Sequence, residues 1–192
     1  MKLPFLRKTA SESLAVSMAG IKLGDRLLVV GCTDPVLLAR LAVKTGLTGR
    51  AHAVDADEHT VARAAEIALR EGALVETSVS PLDALPLEAG GFDVAVARDV
   101  LPQVPAEARP AVLGEIRRVL RPGGRCLVID SSRRLSGLAG SKTQYAPAAA
   151  LESAGFKASR VLAERDGLIF AEGVNPTPNP QSPIFNPQSL DP

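Results

Sequence analysis

Phe92-Asp93-Val94-Ala95-Val96-Ala97, then Val112, Leu113, Ile116, Val119 and Leu120 at helical spacing, then Pro122-Gly123-Gly124 and Arg125-Cys126-Leu127-Val128-Ile129-Asp130 make the stretch that decides the fold. The two outer runs are apolar on both faces of a pleat and too short for a buried helix, the pattern of strands covered on both sides. The stripe between them suits one face of an amphipathic helix, with Arg117, Arg118 and Arg121 on its solvated side and the Pro-Gly-Gly turn closing it. Two such strands with a helix between them predict a parallel pair joined by a right-handed crossover.

The same alternation extends toward the N-terminus. Arg26-Leu27-Leu28-Val29-Val30-Gly31 reads as a first strand, after which Thr33 or Asp34 caps a helix with Pro35 at its first position. Ala51-His52-Ala53-Val54 forms a second strand finishing at Asp55, and Asp57 and Glu58 favour the next helix start. Leu74 to Val79 alternates like a third strand before Pro81 and Pro86 impose an irregular loop. A short helix from Thr9, bearing Leu14, Ala15 and Met18, precedes all of this. Toward the C-terminus, after a helix around Ala146 to Ser153, Ala158 to Leu162 and Leu168 to Ala171 flank Asp166-Gly167, which predicts a terminal antiparallel hairpin. The fold class is α/β, a mostly parallel sheet wrapped by helices on both faces.

At 192 residues one core is expected, spanning 1–173, with a Pro/Asn-rich tail at 174–192 that is extended or disordered. Ile184 and Phe185 in that tail read either as a docking peptide or as part of a solvated segment. Lys and Arg number 22 against 21 Asp and Glu, so no global field attracts polyanions, and neither nucleic acid nor a membrane is an expected partner. Cys32 and Cys126 lack disulfide or metal-ligand spacing, no metal is expected, and the start of the chain lacks an apolar leader; a cytoplasmic location follows. His52 in a strand and His59 on a helix read as structural.

Three segments resemble the class I S-adenosylmethionine-dependent methyltransferases, especially their small-molecule branch. They are Phe92 to Val96 followed by Val100-Leu101-Pro102-Gln103-Val104-Pro105 and Glu115 to Arg125; Val54-Asp55-Ala56-Asp57 with the helix after it; and Glu152-Ser153-Ala154-Gly155-Phe156 before the hairpin. The resemblance implies a Rossmann-like three-layer sandwich, seven-stranded, with its last strand inserted antiparallel, and S-adenosylmethionine over the carboxyl ends of the first strands. A dinucleotide-binding oxidoreductase fits less well, because Thr33 and Val36 stand where its glycine pattern needs glycines.

The resemblance implies a cofactor site made of Gly31, Cys32, Thr33, Asp55, Ala56, Leu82, Asp83 and Arg98, with a small-molecule methyl acceptor and no assigned catalytic residue. Asp55 would accept from both ribose hydroxyls, or would serve as a helix-entry carboxylate shared with Asp57. The first turn departs from the family: Val29 replaces an acidic residue, and of the glycine-rich pattern only Gly31 survives in Gly31-Cys32-Thr33-Asp34-Pro35. A non-glycine residue forced into left-handed geometry there would cost about 1–2 kcal/mol. Pro81 and Leu82 replace the usual adenine-side acid, with Asp83 two positions late; Arg98 and Asp99 read as pocket-lining or as a mutual surface ion pair, and Tyr145 as packing or pocket. Two functions therefore stand: a small-molecule methyltransferase, or a methyltransferase-like scaffold without cofactor that works through a protein partner.

Overall fold

The computed structural model describes residues 13–131 and 146–178. Among them the strands are β1 (Arg26–Val30), β2 (Arg50–Asp55), β3 (Glu76–Val79), β4 (Phe92–Arg98), β5 (Leu120–Ser131), β6 (Lys157–Arg165) and β7 (Leu168–Val174). They form one seven-stranded sheet in the order β3-β2-β1-β4-β5-β7-β6. The first five pair in parallel, and β7 runs antiparallel to both β5 and β6. Asp166 and Gly167, both at positive φ (53° and 79°), make the tight turn that joins β6 to β7.

Two helical layers cover the sheet. On one face α1 (13–19), α2 (Pro35–Lys44) and α3 (Glu58–Arg70) bury Ala15, Leu38, Leu41, Val61 and Ala64 against Leu27, Val29, Ala53, Val96 and Leu127. On the other, α4 (Arg109–Val119) and α5 (Pro147–Ser153) bury Val112, Leu113, Ile116 and Leu151 against Leu28, Val30, Ala95, Ala97 and Val128. The period-2 alternation along each strand divides its side chains between these two cores. The fold is thus the α/β three-layer sandwich with a terminal antiparallel hairpin that the sequence leads one to expect.

Differences from the sequence reading have local causes. Leu120 fits the α4 stripe, yet its backbone is extended and it opens β5 by pairing with Phe92. Helical spacing alone does not distinguish the last residue of a helix from the first of a strand. Arg118 and Arg121 are not simply solvated. Arg118 donates to the carbonyls of Leu85 (2.9 Å) and Leu87 (2.8 Å) while Glu115 accepts from Leu85 N–H (2.8 Å), so the pair staples the β3–β4 loop to α4. Arg121 pairs with Asp93, which also accepts from the backbone N–H of Arg26 at 2.8 Å.

The expected tail starts at Val174, but Val174 is the last residue of β7 and Asn175 is docked. The Asn175 side-chain amide lies 2.7 Å from the Leu120 carbonyl and 3.2 Å from those of Arg117 and Arg121, where α4 runs out. Ile184, Phe185 and Tyr145 lie outside the described residues.

Removing the Asn175 amide leaves those carbonyls short of a donor, and a buried acceptor so deprived costs about 1–3 kcal/mol. Asn175→Ala is expected to lower the urea midpoint by that free energy with an unchanged slope; an unmoved midpoint would show that solvent replaces the amide without cost.

Candidate functional site at the carboxyl ends of the strands

The carboxyl ends of β3, β2, β1 and β4 meet through a short set of backbone bonds. Gly31 N–H continues the β1 ladder to the Val54 carbonyl at 2.9 Å, and Ser80 N–H donates to the Asp55 carbonyl at 3.1 Å. Between them Asp55 reaches back toward β1: its Oδ2 accepts from Cys32 N–H at 2.8 Å and its Oδ1 from Asp57 N–H at 3.1 Å. Helix entry is handled by Asp57 itself, which caps α3 by accepting from Thr60 N–H at 2.8 Å. An ionised carboxylate offers about four lone-pair positions, so Asp55 keeps two for an incoming hydroxyl pair. It is half-buried, with exposed Ala56 beside it.

Gly31 sits at φ +87°, and a β-carbon built on it would lie 2.6 Å from Val100 Cγ2 and 2.9 Å from the Arg98 carbonyl oxygen. Both the left-handed backbone and the absence of a side chain are therefore required there. Thr33 and Asp34 do not share that geometry: among the described residues only Asp99, Ala158 and Asp166 are non-glycine with positive φ. The penalty anticipated for the lost glycines is absent because the chain turns directly into α2, with Asp34 as N-cap (Oδ1 to Leu37 N–H, 3.2 Å) and Pro35 in the first helical turn.

Arg98 leaves β4 on the α2 side. Its side chain is 15 % exposed, with Nε 3.9 Å from Asp34 Oδ2 and Nη1 3.4 Å from Asp99 Oδ2. Asp99 is buried and Arg98 half-buried, so the pair is not the surface ion pair that was one reading of these residues. Asp99 is committed elsewhere: its carboxylate accepts from Ser131 N–H (2.7 Å) and Ser131 Oγ (3.1 Å), and these bonds support its own left-handed backbone at φ 51°. A cavity of about 320 Å³ opens here, lined by Thr33, Asp34, Arg63, Arg98 and Asp99 among others.

Not every candidate joins this group. Leu82 packs against the α4-side core and Asp83 is exposed. Burial, with the Asp55 charge next, pushes the Cys32 thiol up to about 12, so at neutral pH it is no nucleophile and Cys32 contributes its backbone N–H. His52 is a strand residue whose Nε2 lies 2.8 Å from Ser78 Oγ, and its imidazole pKa is lowered chiefly by burial. Sequence reasoning missed Ser80, buried and donating its hydroxyl to the Ala84 carbonyl at 2.8 Å, which shapes the loop beside Asp55. The only sequence signal was a polar residue between a strand and Pro81.

The strand order and the carboxylate at the β2 exit define an α/β domain of methyltransferase type. A methyltransferase domain model matches residues 27–124, just over half of the chain, and the chain belongs to that family. It is 30% identical over 125 residues to a 2-phytyl-1,4-naphtoquinone methyltransferase of Trichormus variabilis, covering 64% of this chain and 53% of that protein. It is 34% identical over 119 residues to an uncharacterized 37.1 kDa protein of a Streptomyces fradiae transposon, 61% of this chain and 33% of that one. The chain thus spans a third to about half the length of these relatives. A SAM-dependent methyltransferase structure from Aquifex aeolicus shares the fold, with TM-score 0.69 and 20% identity over 91% of this chain and 99% of that one. Among the described residues no helix is long and apolar enough to cross a membrane.

Gly31→Ala adds a clash to the left-handed cost, whereas Gly72 (φ +74°) has open space around its would-be β-carbon. Gly72→Ala is expected to lose about 1–2 kcal/mol, the backbone cost alone, and Gly31→Ala clearly more. Equal losses in urea unfolding would show that the β1 turn yields to a side chain.

Proposed function

We propose that this chain is an S-adenosylmethionine-dependent methyltransferase that acts on a small molecule in the cytoplasm. The observation that carries the reading is the Asp55 carboxylate, fixed by two backbone N–H groups at the β2 exit with two lone-pair positions left over. Two free acceptor positions suit the two hydroxyl donors of a vicinal diol, the recognition feature of a ribose. Family membership and the printed activity of the Trichormus relative support the same reading.

In this reading Asp55 holds the ribose hydroxyls, and the Gly31-Cys32-Thr33 backbone forms the floor beneath the ligand, with Ala56 flanking the base. When bound, S-adenosylmethionine supplies an electrophilic methyl group on a sulfonium. The buried Val100 and Leu101 at the β4 exit keep water from the floor of the site. Arg98 and Asp99 lie on the same side, but Asp99, tied to Ser131 and Arg98, is not a free general base. Rate enhancement is then sought in alignment of the reacting atoms, a term that does not require a base.

Titration calorimetry with S-adenosylhomocysteine tests the reading. Wild type is expected to bind, and Asp55→Asn to bind about tenfold or more weakly, since a charge-assisted hydrogen bond contributes about 1.5–3 kcal/mol. No heat and no thermal stabilisation of wild type at millimolar ligand would end the enzymatic reading and favour a scaffold that works through a protein partner.

A further inference from the structure

We propose that the cleft between α1 and α2 is a second ligand site, built for a small amphipathic carboxylate whose hydrocarbon part lies along the helix walls and whose acid head sits beside Lys44. The cleft follows the second half of α2, from Ala39 to Lys44. Lys44 stands about 14 Å along the helix from Pro35, which opens α2 next to the Gly31 turn, so this site is separate from the one at the strand exits and does not depend on the reading given to it.

The cavity measures about 660 Å³, which falls within the ~300–1,000 Å³ usual for small-molecule sites. It exists because the facing surfaces of two helices are too small to close on each other. α1 turns Ala15 and Ala19 into the core, which leaves Ser13, Val16, Ser17 and Gly20, at i, i+3, i+4 and i+7, for one wall. α2 opposes them with Ala39 and Val43, and Ile21 adds a further apolar group after α1. Where larger side chains would interlock, Ser17, Gly20 and Ala39 offer a hydroxymethyl, a hydrogen and a methyl, and a gap remains. Val43 is 54 % exposed, and Leu23, which rests against Gly46, and Leu47 are more exposed still, so apolar surface continues around the end of α2. Grouped apolar surface of this kind marks a binding region.

Charge selects the head group. The end of α2 draws a cation only weakly, because its carbonyls are already used: Ala42 accepts from Thr45 N–H at 3.1 Å and Thr45 Oγ at 2.8 Å, Val43 from Gly46 N–H at 3.3 Å, and Thr45 from Gly24 N–H at 2.8 Å. Recognition therefore falls to side chains. Arg40 and Lys44, one turn apart on α2, line the cleft with a single carboxylate, Glu71. Lys44 pairs with no carboxylate among the described residues, Glu71 included. A cationic head would meet two like charges, and an uncharged ligand would leave the ammonium unused. An anionic head meets Lys44 while its chain covers Val16, Ile21 and Val43.

Calorimetry on the full chain with hexanoate, octanoate and decanoate tests the site, with octan-1-ol and octylammonium as the uncharged and cationic counterparts. Affinity is expected to rise about three- to fourfold per added methylene, with octanoate tighter than octanol and octylammonium weakest. Lys44→Gln should weaken octanoate about threefold, as for a solvent-exposed ion pair, and leave octanol unchanged, whereas Glu71→Gln should tighten octanoate. Ser17 is exposed on the α1 wall, so Ser17→Trp places an indole in the cleft and should abolish binding of every chain at an unchanged urea midpoint. If that variant does not fold, Val43→Glu, at another exposed wall position, should reject octanoate in its place. No heat with octanoate or decanoate at millimolar concentration overturns the site. So does octanoate affinity that both wall variants leave untouched, or octylammonium that binds more tightly than octanoate.

Discussion

The hydrogen bond from Cys32 N–H to Asp55 Oδ2, 2.8 Å long, ties the exit of β1 to the exit of β2, and the rest of the site is arranged around it. The bond is charge-assisted and part-buried, so it contributes about 1.5–3 kcal/mol, enough to hold a short turn in one conformation. It fixes the direction in which the chain leaves β1, and Gly31 is the residue that lets it leave that way, pressed under Val100 and the Arg98 carbonyl. Asp55 is held in the same stroke, because a carboxylate gripped by two backbone N–H groups has no rotamer freedom left to lose when it meets a ligand.

The sheet was legible in the chain because its central strands are covered on both faces. Continuous runs such as Leu27 to Val30 and Val94 to Ala97 leave no other economical placement, and the helices between them carry caps, Asp34 and Asp57, that announce their starts. Features built from distant parts of the chain were not legible. Asp99 adopts a left-handed backbone without being glycine, and what supports it is Ser131, 32 residues later. Arg118 reads as the solvated side of a helix until the β3–β4 loop, more than thirty residues earlier, is seen lying across it. For the site, Asp55 and Gly31 were readable from position at strand ends, but the pairing of Arg98 with Asp34 needs the parity of β4 and the start of α2 at once.

Much of the charge that gives a near-neutral balance is consumed in holding the fold together. Glu172, buried in β7, accepts from Arg125 and Arg160, and Arg125 also reaches the Met18 and Ala19 carbonyls at the end of α1. Asp93 ties Arg26 to Arg121 across the opposite ends of β1 and β4 from the site. Charges spent in this way fix neighbouring elements rather than project a field. Arg98 differs in kind. Its side chain is more enclosed than these, 15 % exposed against 33 % for Arg125 and 47 % for Arg121, and its near carboxylates stand off.

The loss of the glycine-rich pattern therefore does not mean the loss of an ordered turn at the β1 exit. Glycines in such a position allow backbone N–H groups to approach a ligand, at the cost of conformational freedom that must be frozen on binding. Thr33, Asp34 and Pro35 make the opposite choice: the chain stays in ordinary φ space, enters α2 through a side-chain cap, and is stiffened by the proline ring before any ligand arrives. Less ordering entropy then opposes binding, but fewer backbone donors reward it. Such a turn can bind tightly only if side chains at the neighbouring strand exits supply the missing polar contacts. The β2 exit offers one such group in Asp55, whose carboxylate keeps two lone-pair positions beyond its bonds to the Cys32 and Asp57 N–H groups.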